Sequence, residues 1–87
     1  MGANRHTLLR KAKFSVFRML GMQQPDAPLP DLVRIMPDGH GLYIRFTHDD
    51  SQVQRMLTWN ELETCKFLIV EETVKQMLTA IAEHQYD

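Results

Sequence analysis

Apolar residues recur at helical spacing in the first part of the chain. In a helix these positions gather on one stripe about 120° wide, which can pack against a core. Gly21 and three closely spaced prolines after it end the pattern. The pattern predicts a basic amphipathic helix within residues 1–24 and a stiff, extended Pro-rich connector over residues 25–31. The stripe consists of Leu8, Leu9, Ala12, Val16, Met19 and Leu20.

Alternation of apolar and polar residues follows the connector and indicates strands over 32–36 and 42–47. A third, weaker alternation covers 52–57. Turn-forming residues separate these segments, and Gly39 and Gly41 are available for a positive φ in the first turn. Three strands joined by tight turns predict an antiparallel meander over residues 32–57.

A capping box at the Thr58–Glu61 spacing predicts the start of a helix, with Trp59 packing back on the sheet. The apolar positions further along the chain are rotated around the helix axis relative to those of the first turns. This offset indicates a break near Phe67, so that residues 58–85 form either one kinked helix or two helices. A competing interpretation makes 66–71 a fourth strand and starts the last helix at a second capping box beginning with Thr73. The later stripe consists of Val70, Val74, Met77, Leu78 and Ile81.

The expected fold is therefore an α+β arrangement in a single small domain, residues 1–87: an N-terminal helix, a three-stranded antiparallel β-meander, and one kinked or two C-terminal helices. We expect the C-terminal helix to cover one face of the sheet. The stripe of the N-terminal helix needs a cover as well, and the connector would let a neighbouring chain supply it. A chain of 87 residues buries a limited core, which favours a homo-oligomer.

Charge is distributed unevenly along the chain. Residues 1–24 hold five Lys/Arg and no Asp/Glu, whereas residues 25–87 hold the other five Lys/Arg and all eleven acids. The single cysteine, Cys65, excludes an intrachain disulfide and favours a reducing cytoplasmic location, with its thiol buried on a helix. No apolar run approaches the ~18 residues that a membrane span needs, so no membrane partner is expected.

Histidines and aspartates crowd residues 38–50, but the predicted strand separates them. His40 and His48 would lie at its opposite ends, ~26 Å apart at about 3.3 Å per residue, whereas ligands of one zinc lie only ~2 Å from the metal. The group that remains a candidate for binding a divalent metal ion is His48 with Asp49 or Asp50. Without a nucleophile elbow or a phosphate loop, we expect no enzyme, cofactor, metal site or small-molecule substrate.

Two groups of residues are the candidate binding sites. Around the predicted N-terminal helix, two aromatic residues fall outside the apolar stripe, on or beside its basic side. On the sheet, Arg34, Tyr43 and Arg45 share the outer face if Val33 and Ile44 point inward. The partner-binding candidates on the helix are Arg10, Lys11, Phe14, Phe17 and Arg18.

These features favour a small cytosolic protein–protein interaction module, a regulator, adaptor or inhibitor that acts by docking and not by catalysis. The alternative is a nucleic-acid-binding regulatory protein, in which the basic helix contacts phosphates and Phe14 or Phe17 stacks on bases. The acidic C-terminal part would repel the same nucleic acid, which places the alternative second.

Overall fold

The computed structural model describes residues 4–87 and has the predicted α+β architecture, with two C-terminal helices. The sheet is an antiparallel meander in the order β1-β2-β3. The elements in chain order are α1 (Arg5–Gly21), β1 (Leu32–Pro37), β2 (Gly41–His48), β3 (Ser51–Thr58), α2 (Trp59–Cys65) and α3 (Phe67–Ala82).

Helix α1 begins where Asn4 accepts a hydrogen bond from the His6 amide at 2.7 Å, which satisfies one of the free amides of the first turn. Its apolar stripe is buried within the chain, mainly against α3 and to a lesser extent against α2. The connector does not run straight, because the Ala27 amide bonds back to the Gln24 carbonyl. The chain itself therefore covers the stripe, and the neighbouring chain that we expected as its cover is not needed there.

The two hairpin turns are stabilised in different ways. Asp49 and Asp50 have φ of 49° and 65°, the pair of positive values that a two-residue type I′ turn requires. In the first turn the Asp38 carboxylate accepts the His40 and Gly41 amides at 2.8 and 3.0 Å. The prediction of a positive φ at the glycines of this turn is wrong, since neither has one. Position 41 requires a glycine because a Cβ there would collide with the backbone of β3.

Helix α3 contacts both α1 and β3, and the helices cover only one face of the sheet. Leu42, Ile44 and Phe46 of β2 are completely buried under this layer. Val33 and Ile35 of β1 are only half-buried, because β1 packs chiefly against β2. The other face of the sheet carries no covering element among residues 4–87.

Helix α2 begins at the predicted capping box. The Glu61 carboxylate accepts the Thr58 amide at 3.0 Å, and the Thr58 hydroxyl accepts the Glu61 amide at 3.1 Å. Trp59 packs back as predicted, with its indole N–H donating to the Asp38 carbonyl at 2.9 Å. The Arg5 guanidinium lies over the indole ring at 5.4 Å, which joins the start of α1 to α2.

The predicted break between the C-terminal helices falls at Lys66, whose φ of 51° and ψ of −126° are incompatible with a continuous helix. The competing fourth strand over 66–71 is wrong, because this segment opens α3, and so is the capping box at Thr73, which is buried inside that helix. Such a strand would also lack a place on β3, whose Gln52 carbonyl and Gln54 amide bond to Asp87.

Cys65 lies at the end of α2 and is exposed, so the prediction of a buried thiol is wrong. Cys65 is the last residue of α2 and lines an open depression at the corner between α2 and α3, so no element covers its thiol within residues 4–87. Within residues 4–87, no helix combines the length and the hydropathy needed to cross a membrane.

Candidate interaction surfaces

Four large apolar side chains form an exposed surface where α1 passes the start of α3. Phe14 and Phe17 of α1 are 67% and 55% exposed, and Phe67 and Leu68 of α3 are 48% and 75% exposed. Eight large apolar residues are exposed in the part of the chain that the structure describes, so half of them lie here. We call Phe14, Phe17, Phe67 and Leu68, with the charged residues beside them, the helical surface.

A groove between α1 and α3 forms the centre of the helical surface. Phe14 and Phe67 line an open depression of about 360 Å³ from opposite sides. Leu68 continues the apolar surface along α3, and Phe17 lies one helical turn after Phe14 on α1. An apolar cavity of about 220 Å³ adjoins the groove between α1 and the α2–α3 corner. Tertiary packing thus joins side chains that are far apart in the sequence.

The two helices give the helical surface opposite charges. On α1, Arg10, Lys11 and Arg18 are exposed and line the groove, and this helix contains no acid. On α3, Glu71 lines the same groove and Glu72 lies beside Leu68. None of these five side chains forms an ion pair within residues 4–87. The helical surface therefore has a basic half on α1 and, on α3, an acidic half formed by Glu71 and Glu72, with Lys66 at the start of that helix.

The outer face of the sheet is a second surface, which we call the sheet face. The register places its side chains in three rows across β1, β2 and β3, and none of them is acidic. Arg45 is held across the sheet, because its Nε donates to the Gln54 side chain at 2.9 Å. The three rows are Leu32–Thr47–Gln52, Arg34–Arg45–Gln54 and Met36–Tyr43–Met56.

The histidine and aspartate group at the second turn has a structural role. His48 Nδ1 lies 2.8 Å from the Leu29 carbonyl, and its Nε2 lies 3.5 Å from the Asp49 carboxylate. The Asp31 carboxylate accepts the Asp49 amide at 2.9 Å. These contacts attach the connector to the hairpin. Across residues 4–87, no three His, Cys, Asp or Glu side chains are grouped to hold a metal ion.

The two carboxylates with a displaced pKa lie outside both surfaces. Hydrogen bonds from the Thr58 amide and hydroxyl lower the pKa of Glu61, which is the capping-box residue. The Gln54 amide, with a smaller contribution from Arg55, lowers the pKa of Asp87. Both shifts follow from hydrogen bonds that hold the fold, so neither indicates acid–base chemistry.

The structure places the five candidate residues of α1 on one exposed side of that helix and brings four of them to the groove, with Phe17 beside it. Sequence reasoning missed Phe67 and Leu68, although both fall off the apolar stripe of α3 that begins at Val70. It also missed Met36 and Met56, which the strand alternation already places on the same side as Tyr43. The signal in both cases is an apolar residue on the polar side of its own element.

Comparisons with known proteins give no relative: no family model, curated protein or solved structure matches this chain. The functional argument therefore depends on the two surfaces alone.

Proposed function

We propose that the protein is a small protein–protein interaction module that acts by docking and not by catalysis, and that its helical surface docks a second copy of the chain. As a homodimer it would serve as a regulator or adaptor. The single cysteine favours the reducing cytoplasm as its location.

The observation that carries the proposal is the self-complementarity of the helical surface. Its α1 half presents Arg10 and Arg18, and its α3 half presents Glu71 and Glu72. A twofold axis through the groove would set α1 of each copy against α3 of the other. Each basic half would then face an acidic half, and the twofold axis would repeat every contact across the interface.

The apolar centre supplies the energy for this contact. Phe14, Phe17, Phe67 and Leu68 expose about half or more of their accessible surface in the isolated chain. Aromatic side chains at the centre of an interface are common hot spots, and each contributes about 2 kcal/mol or more when water is excluded around it. The charged residues lie around this apolar centre, where they orient the two copies.

The position of Glu71 favours a protein over a nucleic acid as the partner of this surface. It lines the same groove as Phe14 and Arg18, so a phosphate backbone following the basic side of α1 would approach a carboxylate. Repulsion between that carboxylate and phosphate would oppose binding, whereas a protein partner with both charge signs meets no such conflict. The alternative function through the basic helix is therefore the weaker one.

A charge-exchange experiment tests the proposal. One variant carries Arg10→Glu/Arg18→Glu and therefore has two acidic halves, and a second carries Glu71→Arg/Glu72→Arg and has two basic halves. We expect each to be monomeric in sedimentation equilibrium, because like charges meet at both contacts. Mixed together, they should form a heterodimer, because each acidic half then meets a basic half.

Two further variants complete the test. Phe14→Ala/Phe17→Ala should weaken self-association at least tenfold, about 1.4 kcal/mol, while Leu32→Ala, an exposed apolar residue on the sheet face, should leave it unchanged. All three residues are exposed, so circular dichroism should show folded proteins. A wild-type chain that stays monomeric at every concentration, or charge variants that fail to pair when mixed, would overturn the proposal.

A further inference from the structure

The sheet face has a charge pattern that folding does not explain. Arg34 and Arg45 are directly opposite each other on β1 and β2, and like charges in opposite positions destabilise a sheet by a few tenths of a kcal/mol or more. No carboxylate forms an ion pair with either residue within residues 4–87. The third residue of their row is the uncharged Gln54. Two unneutralised guanidinium groups side by side form a site for an anion.

The positions of the two arginines suit a chain of anions. Neighbouring strands lie about 4.8 Å apart, so both guanidinium groups reach the same side of a ligand laid across the sheet. The Gln54 side chain fixes Arg45 at its Nε and leaves the two terminal nitrogens free to donate. A guanidinium donates in a planar fork that matches phosphate oxygens.

The adjacent row supplies an apolar platform. Tyr43 lies two residues from Arg45 on β2, so its ring is on the same face, about 6.6 Å further along the strand. Met36 and Met56 lie on either side of it, and Met56 is 39% exposed. A row of cations beside an aromatic ring flanked by thioethers provides contacts for a phosphate backbone and for an unstacked base.

We infer that the sheet face binds single-stranded nucleic acid, with Arg34 and Arg45 on the phosphates and Tyr43 stacked on a base. Unlike the helical surface, the sheet face has no carboxylate among the side chains of its three rows, and Asp87 at the β3 edge is bonded to the Gln54 amide and the Arg55 guanidinium. Its side chains lie on a sheet, and no helix rises from it that could enter a duplex groove. Unpaired bases can lie flat on such a surface, whereas those of a duplex are stacked inside.

Fluorescence anisotropy with labelled single-stranded RNA and DNA of one mixed sequence tests the inference, with the duplex of that sequence and a labelled polyglutamate peptide for comparison. Arg34→Gln/Arg45→Gln should weaken single-strand binding at least tenfold. The slope of log affinity on log salt should fall by about 1.4 in magnitude, or ~0.7 for each lost phosphate contact. Tyr43→Leu should weaken binding about tenfold with the slope unchanged, because a stacked base contributes no counterion release.

The matched control is Arg10→Gln/Arg18→Gln, which removes the same charge from the helical surface and should leave single-strand binding within about twofold. Binding of RNA or DNA with the expected variant pattern supports the inference. If neither single-stranded RNA nor single-stranded DNA binds at low salt, the inference is overturned. It is also overturned if the control variant loses as much affinity as Arg34→Gln/Arg45→Gln. Tighter binding to the duplex or to polyglutamate would overturn it too, the latter by indicating an acidic protein. The Phe14→Ala/Phe17→Ala variant, in which self-association is weakened, should bind single strands as wild type does, so this test does not depend on dimerisation.

Discussion

Single residues that violate a local preference mark the constrained positions of this protein. Lys66 has a backbone conformation that glycine adopts more easily, and it ends α2. The opposed Arg34 and Arg45 cost sheet stability and have no ion-pair partner within residues 4–87. The first is explained by the fold, because it directs α3 back across the sheet. The second fits the nucleic acid that we propose for the sheet face, and Arg34 also discourages pairing of the β1 edge with another chain.

Gly41 is constrained by close approach and not by its φ. A Cβ there would collide with the Leu57 carbonyl oxygen and lie 2.8 Å from the Thr58 Cα, and both are backbone atoms of the paired strand. Gly41→Ala should therefore lower the free energy of unfolding by about 1–3 kcal/mol, measured by urea denaturation.

Gly39 provides the matched control, because a Cβ there has no neighbour within 4 Å and its φ is not positive. Gly39→Ala should change the stability by about 0.5 kcal/mol or less, or raise it slightly by restricting the unfolded chain. Equal losses for both variants would show that the β2–β3 approach does not govern Gly41.

At the scale of elements, the two edges of the sheet differ. Strand β1 carries Arg34 and Pro37, a charge and a missing amide that discourage pairing with another chain. On β3 the chain after α3 returns, and Asp87 bonds to the backbone of Gln52 and Gln54. Arg55 adds an ion pair at 3.1 Å to the same carboxylate. The β3 edge is thus covered by its own chain through a single ionisable residue.

This contact should make the β3 edge sensitive to acid. The pKa of Asp87 lies below its ordinary 3.8 in the folded protein, mainly through the Gln54 amide, so its stabilisation is complete above pH 3.8 and disappears as pH falls through the lower folded value. Asp87→Asn should lower the melting temperature at neutral pH, with a free-energy loss of at most about 1 kcal/mol because the group is half exposed.

The melting temperatures of wild type and Asp87→Asn should converge as the pH drops below the folded pKa. Asp26→Asn is the control, since the Asp26 carboxylate makes no hydrogen bond to any residue from 4 to 87. A constant difference between wild type and Asp87→Asn at all pH values would show that the carboxylate charge is not what holds this edge.

In the whole molecule, α1 and α3 form the helical surface, whereas the sheet face is the side of the sheet that the helices leave uncovered within residues 4–87. Both surfaces carry arginines, yet only the helical surface carries carboxylates as well. This difference is the reason for proposing a protein partner for the first and a polyanion for the second. A dimer joined through its helical surfaces would leave both sheet faces free.

The two binding activities should therefore be separable. We expect the effects of Phe14→Ala/Phe17→Ala and Arg34→Gln/Arg45→Gln to be independent, because the two sets of residues share no contacts. The combined variant should lose as much self-association as the first double variant alone. It should lose as much affinity for a short single strand as the second double variant alone. Sedimentation and anisotropy on the same preparations would measure both. A sheet-face variant that dissociates the dimer would show that the two surfaces are coupled.

The elements could be predicted from the sequence because their signals are local: the apolar stripe of α1, the alternation over β1 and β2, and the Thr58–Glu61 capping box. Local signals left residues 66–71 ambiguous, because a short apolar run suits a strand or a helix equally. Tertiary packing places α3 against α1, leaves Cys65 exposed to solvent and brings Phe14 to the same groove as Phe67. Those outcomes depend on how elements distant in sequence pack around a shared core, which no spacing along the chain records.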